Sequence, residues 1–227
     1  MSVYSKFLFP LALVAVISAC AKLGGNAEPS STGPASGGGN GGAAANAAAA
    51  PIKLASGTYT LDPAHTDILA QWFHFGFSNP TANFGDVTGT LVYDDADVSK
   101  SSVQVTIPLS GITANGKFDE YLRDVDFFDA AKYPTITFKS TKVERAGVNR
   151  LTVSGNLTVK GITKPVTLNV TINGSGEHPM THLMSAGFDA TGTLNRSEFG
   201  INGYLPLVSD EIRLRITTEG SIPNPAG

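Results

Sequence analysis

The chain has 227 residues, 16 Lys and Arg against 19 Asp and Glu, a formal net charge of -3, 15% charged residues and one cysteine. With no basic excess and its cations scattered along the chain, it lacks the electrostatic footprint of a nucleic-acid-binding protein. A single cysteine leaves no intrachain disulfide, so any fold must be stabilised by burying apolar surface.

Residues 1–20, MSVYSKFLFPLALVAVISAC, carry one positive charge at Lys6, an apolar run over 7–17 and small residues ahead of Cys20. That is the order of a secretory signal, and its apolar run is shorter than the roughly 20 residues a spanning helix needs. Ile17-Ser18-Ala19-Cys20 matches a bacterial lipobox, in which Cys20 is lipidated and becomes the mature N-terminus; the alternative is an ordinary signal peptide with a chance cysteine. Ala21, rather than Asp, after the cysteine favours the outer membrane. Residues 21–56 are dominated by Gly, Ala, Ser, Asn and Pro. Such a segment buries too little apolar surface to offset chain entropy and is read as a disordered tether. The folded domain is expected over 57–227, a length that suits one domain.

After 58–61, Asp62-Pro63 signals a turn, and one long strand is predicted over 65–77. Its faces are Ile68, Ala70, Trp72, His74 and Leu69, Gln71, Phe73, Phe75, Phe77. Both are largely apolar, as in a strand covered on two sides, so alternation leaves the inward face open. Asn79-Pro80 ends it, and 87–93 and 103–109 alternate as half-buried strands. Residues 118–140, FDEYLRDVDFFDAAKYPTITFKS, begin with helical turns, place Phe127 and Phe128 side by side and break at Tyr133-Pro134. Because the residue before a proline is driven out of the α region, Pro134 marks the change to the strand 135–143, which carries Ile136 and Phe138. Asp124, Asp126 and Asp129 are read as solvated caps of short helical pieces, and the two phenylalanines as a plug for one end of a barrel.

The second half repeats the rhythm. Residues 151–159 and 166–172 form a hairpin through a glycine-containing loop, 186–194 and 211–221 are further strands, and 195–201 is a helical turn or loop. Eight or nine short strands without long crossovers point to an antiparallel barrel or sandwich, closure being the way to remove exposed edges. An eight-stranded barrel has room for one small or elongated apolar ligand.

Chemistry-bearing motifs are sparse. His65 and His74, nine apart on one predicted strand, fall on opposite faces. His178 and His182 have helical spacing, but Pro179 and the flanking glycines argue for a loop. There is no carboxylate or cysteine cluster, no G-x-S-x-G, no phosphate loop and no H-E-x-x-H, and no nucleophile-base pair at a recognisable spacing. Neither a metal, a cofactor nor an enzymatic activity is expected.

The run LRDVDFFDAAKYPTITFKS, followed by GNLTVKGITKPVTLNV and preceded by the His65 and His74 segment, resembles the YceI-like family of bacterial periplasmic lipid-binding proteins over about residues 57–222. Asp62 and His65 stand at the family's D-x-x-H, and His74 at the histidine that closes V-x-F-x-V-x-H, which favours the His74 face as the inward one. Arg123 stands at the basic residue after its H-L, although Tyr121 replaces the histidine. Phe127, Pro134 and Phe138 match F-F-D and Y-P-x-I-x-F; Leu157, Lys160 and Gly161 match L-T-I-K-G; Arg196, Phe199 and Gly200 match R-x-x-F-G. Ala82 replaces a glycine.

The resemblance implies an all-β, extended antiparallel lipocalin-like barrel of about eight strands with one or two short helices, enclosing an isoprenoid chain. The expected protein is periplasmic, anchored to a membrane through Cys20, and binds a polyprenyl- or quinone-type amphiphile for carriage, storage or sequestration. Ile68, Trp72, Phe84, Phe127, Phe128 and Phe138 are the expected wall and plug, with His74 and Arg123 at the headgroup; a homodimer is compatible with this. At roughly 0.8 kcal/mol per buried methylene, a long tail supplies micromolar binding even after ordering costs. The alternative is a non-enzymatic envelope stress or interaction module that works through the barrel exterior. It predicts a packed interior and an exposed apolar patch along Phe73, Phe75 and Phe77.

Overall fold

The structure, a computed structural model, describes residues 50–223. The predicted signal 1–20, Cys20 and the tether up to residue 49 lie outside the described residues, as do 224–227. In chain order the elements are β1 (Gly57–Leu61), a 3-10 turn (Pro63–His65), β2 (Asp67–Gln71), β3 (Thr81–Phe84), β4 (Thr88–Tyr93), β5 (Ser102–Pro108) and β6 (Ile112–Ala114). There follow α1 (Phe118–Arg123), β7 (Thr135–Gly147), β8 (Arg150–Val159), β9 (Ile162–Glu177), β10 (Met184–Asn195), a 3-10 turn (Arg196–Phe199) and β11 (Glu211–Ser221).

Every strand pairing is antiparallel, in the order β1, β4, β5, β7, β8, β9, β10, β11. β11 pairs back onto β1 through Thr60↔Ser221 and Leu61↔Gly220. That closes an eight-stranded barrel, the architecture expected from strand spacing and resemblance. β2 runs along the rest of β11, from Arg213↔Gln71 to Thr217↔Asp67, and carries β3 and then β6 as a short extension of the wall. The unit Asn46–Gly227 is compact by itself.

The register gives the barrel two distinct ends. At one, called the floor, lie the β7–β8 and β9–β10 hairpins and the end of β11. At the other, the mouth, lie α1, the β8–β9 turn and the segments 72–80 and 196–210. Strand alternation sends Leu151, Val153, Gly155, Leu157 and Val159 of β8 inward. Gly155 has no side chain to fill its inward place, and the ring of Phe138 on β7 takes it: a Cβ at Gly155 would stand 2.5 Å from Phe138 Cζ.

Three expectations are corrected. The strand predicted over 65–77 is confined to Asp67–Gln71. Before it, the Asp62 side chain accepts the Ala64 amide hydrogen at 2.9 Å and, with Pro63 in the first position, caps a 3-10 turn that contains His65. After it the chain turns sharply at residues 74–77 and returns as β3. Residues 50–56, read as tether, pack onto the floor. Asn149 accepts the Ile52 amide hydrogen at 2.7 Å and donates to the Ala50 carbonyl at 2.8 Å, and Leu54 is 1% exposed. Of the three aspartates read as caps of short helical pieces, Asp124 alone holds a cap position, at the C-terminus of α1, with its carboxylate accepting from the Val125 amide at 2.6 Å; the N-cap position is held by Lys117 without a side-chain bond.

Candidate ligand-binding cavity

The barrel encloses a cavity of about 700 Å3 that extends from the floor to the mouth. On β8 the wall runs from Leu151 to Val159, eight steps at ~3.3 Å, or about 26 Å along the strand. Ile68, Trp72, Phe84, Phe127, Phe128 and Phe138 all line it, as does His74, which places the Ile68, Ala70, Trp72, His74 face inward. Phe73 and Phe77 point to water. At the mouth the aromatic side chains interlock into a plug. Trp72 stacks on Phe118 at 5.6 Å, Phe84 meets Phe128 edge-on at 5.8 Å, and Phe127 packs on Tyr121 at 4.8 Å.

Polar groups on the wall divide by position. At the floor they are bonded within the protein: the Thr66 hydroxyl donates to the Asp62 carbonyl and meets the Thr218 hydroxyl, both at 2.7 Å. The Tyr93 hydroxyl donates to Asp95 at 3.3 Å and accepts from Arg145 at 3.3 Å, and burial raises its pKa. The Ser101 hydroxyl, also on the wall here, accepts from the Asp94 amide at 3.0 Å. Among the described residues this end therefore offers a tail hydrocarbon and hydroxyls already engaged within the protein. At the mouth stand His74, Tyr121, Arg196 and Tyr204. The His74 ring packs against Phe75 at 4.1 Å and holds no hydrogen bond among the described residues. The Tyr121 and Tyr204 hydroxyls meet at 2.8 Å, joining α1 to the 202–208 segment, and this bond pushes the Tyr121 pKa up to about 12.

Arg196 is buried, and its guanidinium donates to three carbonyls, Ser209 at 2.9 Å, Ile201 at 2.9 Å and Val208 at 3.1 Å. Burial lowers its pKa, while the carboxylate of Asp210 acts the other way. That carboxylate is held by the Ser197 amide at 2.8 Å and hydroxyl at 2.7 Å. The arginine thus fixes the shape of the 196–210 segment and leaves one positive charge beside an apolar bore.

Arg123, expected at the headgroup, is not on the cavity wall. Its Nε donates to the Leu109 carbonyl at 3.0 Å, its Nη2 to those of Ile112 at 2.5 Å and Ser110 at 3.4 Å, and its Nη1 to Asp119 at 3.0 Å. The turn after β5 presents these carbonyls to the last turn of α1, so Arg123 straps the helix to the wall. Arg196 was legible as a motif residue and not as a cavity residue. Tyr204 carried no signal at all, since its place depends on how 202–208 folds back over the mouth. Among the described residues no group of three His, Cys, Asp or Glu is disposed to hold a metal ion, and no helix is long and apolar enough to cross a membrane. His178 and His182 lie in the β9–β10 loop, as read, with His182 bonded to Glu177 at 2.7 Å.

Comparison with known proteins agrees with this architecture. The family model for the YceI-like domain matches residues 59–220. Protein YceI from Salmonella arizonae and from Salmonella enteritidis are each 38% identical over 148 residues, 65% of this chain and 76% of theirs. Among solved structures, BcnA from Burkholderia cenocepacia is 26% identical with a TM-score of 0.63, covering 70% of this chain and 98% of that one. The YceI protein of Campylobacter jejuni is 28% identical with a TM-score of 0.59, covering 67% and 90%. A polyisoprenoid binding domain from Saccharophagus degradans, implicated in plant cell wall breakdown, shares the fold at 14% identity and a TM-score of 0.56, over 73% and 98%.

Proposed function

Because the chain belongs to the YceI-like family and its barrel holds a long apolar cavity, we propose that it binds an isoprenoid-type amphiphile, polyprenyl or quinone in class, with the tail toward the floor and the head at the mouth. The observation that carries this reading is the division of polarity along the bore: the Thr66, Thr218 and Tyr93 hydroxyls that line it at the floor are bonded within the protein, whereas an imidazole without a hydrogen bond among the described residues and a buried guanidinium border the mouth. An amphiphile in the opposite sense would place its head against groups already engaged within the protein. Burial of about ten methylenes contributes about 8 kcal/mol, the free energy of micromolar binding before ordering costs. The fold neighbour from Saccharophagus degradans is a polyisoprenoid binding domain, which supports the same class of tail.

The role is carriage, storage or sequestration without catalysis. The protein acts in the periplasm, held at the outer membrane through lipidated Cys20. The interaction-module alternative predicts a packed interior, and a cavity of about 700 Å3 disfavours it.

The test is native mass spectrometry with organic extraction on residues 46–227 purified from a bacterial periplasm without added lipid. The expected result is a discrete extra mass that solvent releases and that a folded Phe127→Asp variant lacks. An unliganded mass, unchanged after incubation with isoprenoid quinones and polyprenyl phosphates, would remove the carrier reading.

A further inference from the structure

Around the mouth the chain exposes apolar side chains that nothing among the described residues covers. Phe73 is 44% exposed, Phe75 41%, Phe77 90%, Tyr204 56% and Leu207 65%. They form one collar, because the segments that carry them are bonded together: the Phe75 amide donates to the Leu207 carbonyl and the Ser209 amide to the Phe73 carbonyl, both at 2.9 Å. Phe75 and Tyr204 also line the cavity, so the collar is continuous with the bore.

The backbone is strained to present it. Phe75 and Gly76 have φ of 49° and 80°, and the Phe77 amide donates to the His74 carbonyl at 2.9 Å, the geometry of a two-residue turn with both central residues left-handed. Asn, Asp or Gly are the usual residues at its first central position. A phenylalanine there is disfavoured and brings a large apolar ring into water. Residues 72–85 and 199–209 contain no Asp, Glu, Lys or Arg, so nothing charged in them has to be dehydrated if the collar leaves water.

We propose that this collar docks on the surface of a lipid bilayer, so that a hydrocarbon tail passes between bilayer and cavity without crossing water. The inference extends the reading of the cavity as a carrier site. The continuity of the collar with the bore separates a bilayer from a second copy of the chain. Phe75 and Tyr204 belong to both, so a second copy seated on the collar would stopper the opening, whereas a bilayer there opens the bore onto hydrocarbon. The five side chains show on the order of 600 Å2. A bilayer sets no minimum area, since apolar side chains need only enter the boundary between headgroups and tails to a depth of about 5–10 Å.

Residues 46–227 contain no cysteine and no site for an N-terminal lipid, so their association with vesicles reports on the domain itself. With large vesicles of neutral phosphatidylcholine, the domain is expected to co-sediment equally at low and high salt, as an apolar contact does. Phe77 and Leu207 do not line the cavity, and both are exposed. The double variant F77D/L207D should fold normally and lose co-sedimentation by about tenfold or more. Its uptake of farnesol in vesicle-free buffer, read through the fluorescence of Trp72, should equal that of the parent.

Parent and variant sedimenting alike would overturn the proposal. So would a parent that stays in the supernatant yet takes up farnesol, a result that leaves the carrier reading intact. Normal sedimentation without farnesol uptake keeps the docking and removes the carrier reading. A collar-dependent dimer that ignores vesicles would assign the surface to a second copy and overturn it.

Discussion

Replacing Gly155 by alanine tests how β7 and β8 share the interior. The added methyl would stand 2.5 Å from Phe138 Cζ, 2.7 Å from its Cε2 and 2.6 Å from the Lys139 carbonyl oxygen, all far inside contact distance. The ring borders the cavity and can swing into it; the carbonyl belongs to a paired strand and cannot. Two costs follow. Overpacking of this kind is worth about 1–3 kcal/mol, and the rigid carbonyl places Gly155→Ala near the upper end. The displaced ring also occupies bore, so uptake of a long-chain isoprenoid should fall. Urea unfolding of residues 46–227, read at unchanged slope, measures the first effect, and titration with a fluorescent prenol the second. The double variant G155A/F138L separates the two clashes. If the ring is the main obstacle, its destabilisation is smaller than the sum of the singles by about 1 kcal/mol; if the carbonyl is, the effects add. A Gly155→Ala protein within about 0.5 kcal/mol of the parent and with unchanged uptake would refute the packing argument.

Two further outcomes follow from the polar groups. Arg196→Met leaves the carbonyls of Ser209, Ile201 and Val208 without their donor, at about 1–3 kcal/mol for each group that stays dry. Urea unfolding should show a loss of about 3 kcal/mol, with Arg196→Lys intermediate because one ammonium cannot span all three; a loss under about 1 kcal/mol would count against Arg196 fixing the 196–210 segment. His65 and Asp62 meet at 2.7 Å on the surface, and their mutual hydrogen bond raises the histidine pKa and lowers that of the aspartate. The histidine's contribution to stability is complete below its ordinary value near ~6.5 and fades as pH rises through the folded value. The aspartate's is complete above its ordinary value near ~3.9 and fades as pH falls through the folded one. In an NMR titration His65 should therefore titrate above its ordinary value, and Asp62→Asn should return it there; an unchanged midpoint in the variant would show that the pair does not set it.

The barrel was legible because its strands repeat at period two with one apolar face, as β8 does from Leu151 to Val159. Short elements were not: β3 and β6 have four and three residues, too few for a period to register. The inward face of β2 followed the motif, yet its end did not, because the turn that stops it puts a phenylalanine where Asn or Gly is the usual signal. Ile52 and Leu54 sit at the end of a low-complexity tract, and only the floor of the barrel makes them core residues. At the site, apolar wall positions were found from pattern and resemblance. Arg123 was expected at the headgroup and Arg196 was legible only as a motif residue, because both bind backbone carbonyls and only the tertiary arrangement decides which borders the bore.

The bonds of Asn149 to residues 50 and 52 make the molecule directional. β11 also ends at the floor, with the Ile222 amide bonded to the Met184 carbonyl at 2.9 Å, so both ends of the described chain leave from the same side. The ten residues of β8 alone put about 30 Å of strand between that side and the mouth. Whatever holds the polypeptide directly at residue 50 or residue 223 faces the floor and leaves the opening pointing the other way. A solid support joined directly at either of these two positions should leave traffic through the mouth unobstructed and present every copy in the same orientation.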